Sequence, residues 1–227
     1  MGRRTALVTG ASRGIGRAIA VELGRTHHVV LAGRSEESLE QTRTQLADSS
    51  VLVLDVADEA SVARAALPGS LDVLVHAAGI SGGGPVGENT REDWRSRFEV
   101  NVFGVADLTA RLLPALRSAR GTVVLLNSGA GLFSTPGGSI YSATKFALRT
   151  FGDTLREEER AHGVRVVSVH PGIVDTDMGR SVIGEDGHPE RMLAPETIAA
   201  AVRTAVDAPP EAQFETISVR PTLPPKG

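Results

Sequence analysis

Short runs of β-branched and aliphatic residues recur along this chain, each separated from the next by a stretch with helical periodicity, and that alternation limits the fold more than any other feature. The runs are TALV at 5–8, HVVLA at 28–32, VLVL at 51–54, LDVLV at 71–75, TVVLL at 122–126, VRVVSV at 164–169 and TISV at 216–219. Runs so short and so uniformly apolar read as strands buried on both faces. Helix starts fall between them: Ser35 before EESLEQTRTQL, Asp58 before EASVARAAL, Thr90 before REDWRSRFEV, and Pro195 leading ETIAAAVRTAV. Hydroxyl and carboxylate caps accept the free N–H groups of a first turn, and proline has none to lose there. Strands covered on both faces require helices on both sides. The expected fold is therefore α/β, a Rossmann-type doubly wound parallel sheet of about seven strands flanked by helices, with ligands at the carboxyl ends of the strands.

At 227 residues and 41% hydrophobic the chain can bury one substantial core, so a single domain spanning 1–227 is expected. No repeat or linker divides it. The glycine-rich ISGGGPVG at 80–87 is loop-sized, and the PTLPPKG tail at 221–227 reads as loose. A net charge of -3, with no like-charge block longer than Glu157 to Glu159, offers no attraction to nucleic acid or an anionic membrane. There are no cysteines, and the six histidines form no helical metal-binding pair, so no metal is expected. The apolar run behind the first two arginines is too short for a signal peptide or a membrane span. A soluble cytoplasmic protein is expected.

TGASRGIG, residues 9–16, follows the first strand directly and leads into a helix. Gly10 suits a sharp turn, Gly14 a close approach to pyrophosphate, and Gly16 a helix packed tightly on the sheet, while the helix N-terminus favours negative charge. The spacing departs from the usual dinucleotide fingerprint, and the Lys-Ser/Thr ending of a P-loop is missing; a tight structural turn is the competing reading. At the end of the second strand, where a cofactor lacking a 2′-phosphate calls for an acid, the chain reads LAGRSEE. Arg34 there and Arg13 in the glycine turn point to a shared phosphate, hence NADP(H) over NAD(H). The alternative is two solvated loop cations paired with Glu36 and Glu37.

YSATK at 141–145 places a phenol and an ammonium four positions apart. On a helix that is about one turn and ~6 Å of rise, so both project from one face. Taken alone, the spacing favours a solvated surface pair, since Tyr and Lys occur at this separation on many solvated helices.

The order of motifs resembles the short-chain dehydrogenase/reductase family: TGASRGIG, Asp55 after the third strand, HAAG at 76–79 after the fourth, Asn101 in a helix, Ser128 ending the fifth strand, then Tyr141 and Lys145, and PGIVDTDM at 171–178. The likeness spans essentially the whole chain. It implies that Gly10, Ser12, Arg13, Gly14, Ile15 and Gly16 line the pyrophosphate and adenosine ribose, with Asp55 and Val56 at the adenine. Ala77, Ala78 and Gly79 would border the nicotinamide ribose, and Val174 and Thr176 would hold the carboxamide. Asp55 as a mere helix cap, and Pro171–Gly172 as a mere turn, remain open. The family often carries two asparagines where His76 and Ala77 stand, which puts their side-chain hydrogen bonds in doubt and leaves His76 as a core residue.

Hydride transfer to a ketone builds charge on its oxygen, and Tyr141 as proton donor with Ser128 as a second polar group answers that need. A free phenol, with a pKa of about 10, is a poor base near neutrality. An ammonium about 4 Å away, at an effective dielectric near 20, favours the phenolate by about 4 kcal/mol and draws its pKa toward roughly 7. The resemblance also implies that Lys145 bonds the nicotinamide ribose and that Asn101 holds a relay water; a purely bracing Asn101 is the alternative.

Substrate shape is expected from residues 80–88, 131–138 and a short substrate loop at about 178–193, with Leu132, Phe133 and Met178 as an apolar wall and a rather open pocket. A small or medium carbonyl or secondary alcohol is the expected substrate, and the resemblance implies a homodimer or homotetramer whose interface uses the helices at 90–117 and 139–161. Two rival functions stand beside the reductase: a non-catalytic NADPH-binding sensor or scaffold, and an NADP-linked epimerase or dehydratase.

Overall fold

The computed structural model describes residues 3–225. Its seven strands are β1 (Arg4–Thr9), β2 (His27–Gly33), β3 (Ser49–Val53), β4 (Val73–His76), β5 (Thr122–Leu126), β6 (Arg165–Pro171) and β7 (Thr216–Val219). Each of the seven expected runs became a strand, and all pair in parallel in the order β3-β2-β1-β4-β5-β6-β7. The strand order reverses between β1 and β4. Chains leaving the carboxyl ends of those two strands diverge there, opening the crevice in which such sheets bind ligands.

Among the described residues eight α-helices connect the strands: α1 (Gly14–Leu23), α2 (Glu36–Arg43), α3 (Glu59–Arg64), α4 (Arg91–Phe98), α5 (Gly104–Ala119), α6 (Ser139–Glu159), α7 (Asp177–Ile183) and α8 (Pro195–Val206). Three caps act as their residue types dictate. Ser35 accepts from Ser38 N, Asp58 from Ala60 N, and Thr90 forms a reciprocal box with Asp93 at the head of α4. Neighbouring strand residues point to opposite faces. Ala6 and Val8 pack with Ile19 and Leu23 of α1 and Ile198 and Val202 of α8, whereas Leu7 packs with Leu108 and Leu112 of α5 and Leu148 of α6. Two cores therefore clamp the sheet, and a fully buried leucine such as Leu7 contributes about 1.5–3 kcal/mol to the one it enters.

The helix expected to run unbroken through Asn101 instead has a wider π turn at Glu99–Phe103 between α4 and α5. Gly104 begins α5 against the loop after β3, where a Cβ would overlap the Val56 carbonyl oxygen. The tail also departs from expectation. Pro225 is buried and its carbonyl accepts from His188 N at 2.7 Å, so residues 221–225 are tied to the 178–193 segment rather than loose; Lys226 and Gly227 lie outside the described residues. No helix among the described residues is long and apolar enough to cross a membrane.

Candidate active site

A cleft of about 1700 Å³ runs along the carboxyl ends of the strands, from the glycine turn to Tyr141 and on to Phe133 and the tail. At its first end the backbone shapes the wall. Gly10 has φ +65 and Gly14 φ +52, conformations that disfavour a side chain. A Cβ on Gly10 would stand 2.8 Å from Ala78 Cα, and one on Gly16 would overlap the Gly10 carbonyl. The turn thus presses against the loop after β4 while α1 presses against the turn.

Thr9 and Arg17, unnoticed in the sequence, hold this arrangement. Thr9 Oγ1 accepts from the N–H groups of Ala77 and Ala78, both at 3.1 Å. Backbone order that asparagine side chains would otherwise give is supplied from β1. Arg17 Nε donates to Ser12 O at 3.1 Å and Thr42 Oγ1 at 3.2 Å, and Thr42 donates to Ala11 O, which links the turn to α2. His76 is buried, and its Nε2 lies 2.8 Å from Thr109 Oγ1. Because Thr109 donates its own proton to Val105 O, Nε2 is the donor. Burial lowers the His76 pKa to about 3, so the ring is a neutral core residue.

The two arginines expected to meet over one phosphate both border the cleft, in different surroundings. Arg13 Nη1 pairs with Asp177 Oδ2 at 2.8 Å, bridging the glycine turn and α7, with both side chains at least three-quarters exposed. A pair so open to water is weakly held. Arg34 is exposed at the end of β2, with no hydrogen bond or ion pair to any described residue. Glu36 and Glu37 pair with neither arginine; they lie in the first turn of α2, where the helix dipole favours them. Asp55 does not cap α3, since Asp58 does. Its Oδ1 accepts from Ala57 N at 3.0 Å, turning the chain with Val56 toward the cleft. At the cleft's opposite wall Val174 is buried and bridges to Leu193, while Thr176 caps α7 by accepting from Gly179 N at 3.1 Å. Ile15 and Gly79 border the same cleft.

The catalytic candidates converge. Ser128 follows β5, with its Oγ accepting from Ala130 N at 3.1 Å. Its carbonyl receives the Nδ1 proton of His170 at 2.8 Å, and His170 Nε2 faces Ser168 Oγ at 2.9 Å. A carbonyl can only accept, which fixes the tautomer and leaves Nε2 to accept from Ser168. Asn127 Nδ2 donates to Ser168 Oγ at 3.3 Å and to Lys145 O at 3.2 Å, joining the serine strand to α6. Nothing in the spacing of His170, Ser168 and Asn127 reveals this network, because it depends on β5 and β6 being neighbours.

Tyr141 and Lys145 do share a face of α6: Nζ lies 5.6 Å from the phenol ring centroid and donates to Leu126 O at 2.9 Å. The electrostatic expectation for the phenol is overturned. Burial pushes the Tyr141 pKa up, opposed only by a hydrogen bond from Ser128. Lys145 is buried as well, and desolvation lowers its own pKa to about 8. Removing the phenol from water disfavours the phenolate more than its neighbours favour it. Asn101 is buried and braces. Its Oδ1 accepts from Ile80 N at 2.9 Å, and its Nδ2 donates to Ile80 O at 2.9 Å and Thr144 Oγ1 at 3.1 Å. Both amide protons are engaged, so the side chain clamps the 80s loop to α6.

Phe133 and Met178 line the substrate end and are partly exposed, but Leu132 is half-buried outside the lining. The missed contributors are Arg220, Pro221, Pro224 and Pro225, which bring the tail into the wall. The geometry fits a dinucleotide: a glycine-shaped helix N-terminus at one end, and a half-buried phenol and hydroxyl beside a buried ammonium at the other.

The sequence profile of the short chain dehydrogenase family matches residues 4–186. An uncharacterized oxidoreductase of Staphylococcus aureus is 34% identical over 227 residues, covering 96% of this chain and 97% of its own. Among solved structures, an alcohol dehydrogenase from the archaeon Thermococcus sibiricus, complexed with 5-hydroxy-NADP, is 31% identical with a TM-score of 0.86, covering 96% of this chain and 97% of that one. The closed form of a serine dehydrogenase complexed with NADP+ is 28% identical with a TM-score of 0.85, covering 95% of this chain and 94% of that one. Sequence and architecture agree over nearly the full length: the chain belongs to the short chain dehydrogenase family and is an oxidoreductase that binds a nicotinamide dinucleotide.

Proposed function

We propose that this protein is an NADP(H)-dependent reductase of small or medium ketones and aldehydes, running in reverse on secondary alcohols. The observation that carries the reading is the meeting of Tyr141 with Ser128 beside buried Lys145, in the same cleft as the glycine turn. When bound, the dinucleotide supplies the hydride for reduction or accepts it in oxidation. Tyr141 donates its proton to the substrate oxygen as that oxygen gains charge, and Ser128 fixes the oxygen with a hydrogen bond. A phenol whose pKa is pushed up by burial stays protonated across the physiological range, which suits the reducing direction. Lys145 would hydrogen-bond the nicotinamide ribose, and it keeps a positive charge next to Tyr141. Asn101 acts by position, holding Ile80 and Thr144 against α6.

Preference for NADP(H) rests on Arg34, an exposed cation without a partner among the described residues at the place where the 2′-phosphate belongs. Support comes from the alcohol dehydrogenase and the serine dehydrogenase that this chain resembles, both of them complexed with an NADP form. Phe103 and Phe146 lie exposed at the expected interface helices, supporting a homodimer or homotetramer built through them.

The test follows NADPH oxidation at 340 nm against a panel of carbonyl compounds, with Tyr141→Phe as control. Turnover by the wild type should fall by about a thousandfold or more in the variant, while NADPH affinity is retained. Undiminished turnover in Tyr141→Phe rules the proton donor out, and no turnover of any carbonyl moves the reading to a binding protein.

A further inference from the structure

We propose that Arg220 is the carboxylate anchor of the substrate site, so that the preferred substrates are small hydroxy acids and the matching oxo acids. This rests on the reductase reading of the same cleft. Arg220 follows β7 at the carboxyl edge of the sheet, and its guanidinium carbon lies 4.7 Å from the centroid of the Phe133 ring. Its Nη2 approaches Gly129, the residue after Ser128, to within 3.2 Å of where a Cβ would stand. A side chain at 129 would crowd it.

Four of the six arginines along the cleft are engaged. Arg13 pairs with Asp177, Arg180 with Asp175 and Arg25 with Glu22, while Arg17 donates to Ser12 O and Thr42 Oγ1. Two remain without a hydrogen bond or ion pair to any described residue, one at each end: Arg34 where the cofactor's phosphate belongs, and Arg220 at the substrate end. Stacking on an aromatic face holds a guanidinium in place without using its N–H groups. The planar edge is left free for two parallel bonds to a carboxylate. A lysine has no such edge.

Such an anchor fits an anion whose carbonyl or hydroxyl carbon lies a few bonds from its carboxylate. One group rests on Arg220 while the other meets Tyr141 and Ser128.

Binding and turnover separate the two readings. The probes for calorimetry, with NADP+ present, are 2-hydroxy-2-methylpropanoate and 3-hydroxy-3-methylbutanoate, each beside its neutral amide. As tertiary alcohols they cannot be oxidised by hydride transfer. At least one acid should bind about tenfold or more tightly than its amide, and Arg220→Gln should remove that preference while leaving amide affinity within about twofold. Arg220→Lys should restore only part of it. Equal binding of acids and amides by the wild type, or a preference that survives in Arg220→Gln, overturns the anchor. Parallel assays with neutral ketones keep the readings distinct. Turnover without carboxylate preference sinks the anchor alone, and carboxylate preference without any turnover sinks the reductase and leaves the anchor standing.

Discussion

The two ends of the cleft are built from different material. At the cofactor end the walls are backbone: glycines with positive φ, a helix N-terminus, and N–H groups held by Thr9. At the proposed catalytic and substrate end they are side chains, a half-buried phenol and a buried ammonium beside a stacked arginine, supplied by segments distant in sequence. Shape made by backbone tolerates almost no added atom but most changes of charge nearby. Function made by side chains tolerates small changes of shape and depends on charge.

The sharpest way to break that contrast is Gly16→Ala. The added methyl would overlap the Gly10 carbonyl, which cannot rotate away. Overpacking against backbone should destabilise the fold by about 3 kcal/mol, lowering the melting temperature by roughly 6–12 °C, and should abolish measurable dinucleotide affinity. Calorimetric melting with NADPH titration reads both, and a variant that binds normally would show that the turn is looser than it looks.

In the proposed reading, the charge of Arg34 governs the choice of cofactor at this end. Arg34→Asp removes a charge-assisted bond and adds repulsion, so the NADPH:NADH ratio of kcat/KM should fall about a hundredfold, ~2.7 kcal/mol. Equal losses with both cofactors would contradict its phosphate role.

How much of this was legible in the sequence follows the same division. The seven strands and the caps Ser35, Asp58 and Thr90 depend on local pattern, and all appear as expected. Gly10, Gly14 and Gly16 were readable because a glycine turn between strand and helix has few uses. What escaped needed three dimensions. The π turn at Asn101 reflects contacts with Ile80 and Thr144 that no helical periodicity encodes. The Tyr141–Lys145 spacing placed the charges but not the burial that outweighs their attraction. The tail looked loose because three prolines and a glycine suggest disorder, yet a hydrogen bond from His188, on a distant segment, holds it.

His76 stands where the two ends meet, at the last position of β4, and tests whether the wall between them is sensitive to acid. In the fold its pKa is held near 3 by burial, against about 6.5 when unfolded. Between those values the unfolded chain takes up a proton that the folded chain refuses, so stability is lost as pH falls below about 6.5, at ~1.4 kcal/mol per unit. From pH 7 to pH 5 this residue alone should remove about 2 kcal/mol. His76→Asn keeps a donor for Thr109 without a titrating group, and urea denaturation at both pH values should show the variant losing about 2 kcal/mol less. Identical losses would place the acid sensitivity on other groups, such as His170, whose pKa burial also lowers.

The smallest effect assigns the proton chemistry of the catalytic end. Lys145 has a pKa of about 8 and Tyr141 one raised above the ordinary phenol, so the two titrate in separate ranges. If reduction needs the ammonium, kcat/KM is flat below pH 8, where Lys145 is charged, and declines as it loses its proton. The fall should be about fivefold between pH 8 and pH 9, approaching tenfold per unit beyond. Lys145→Met should be slow at every pH and show no break in this range. A wild-type profile flat to pH 10 would mean that Tyr141 alone sets the limit, and that charge matters less at this end of the cleft than its buried ammonium suggests.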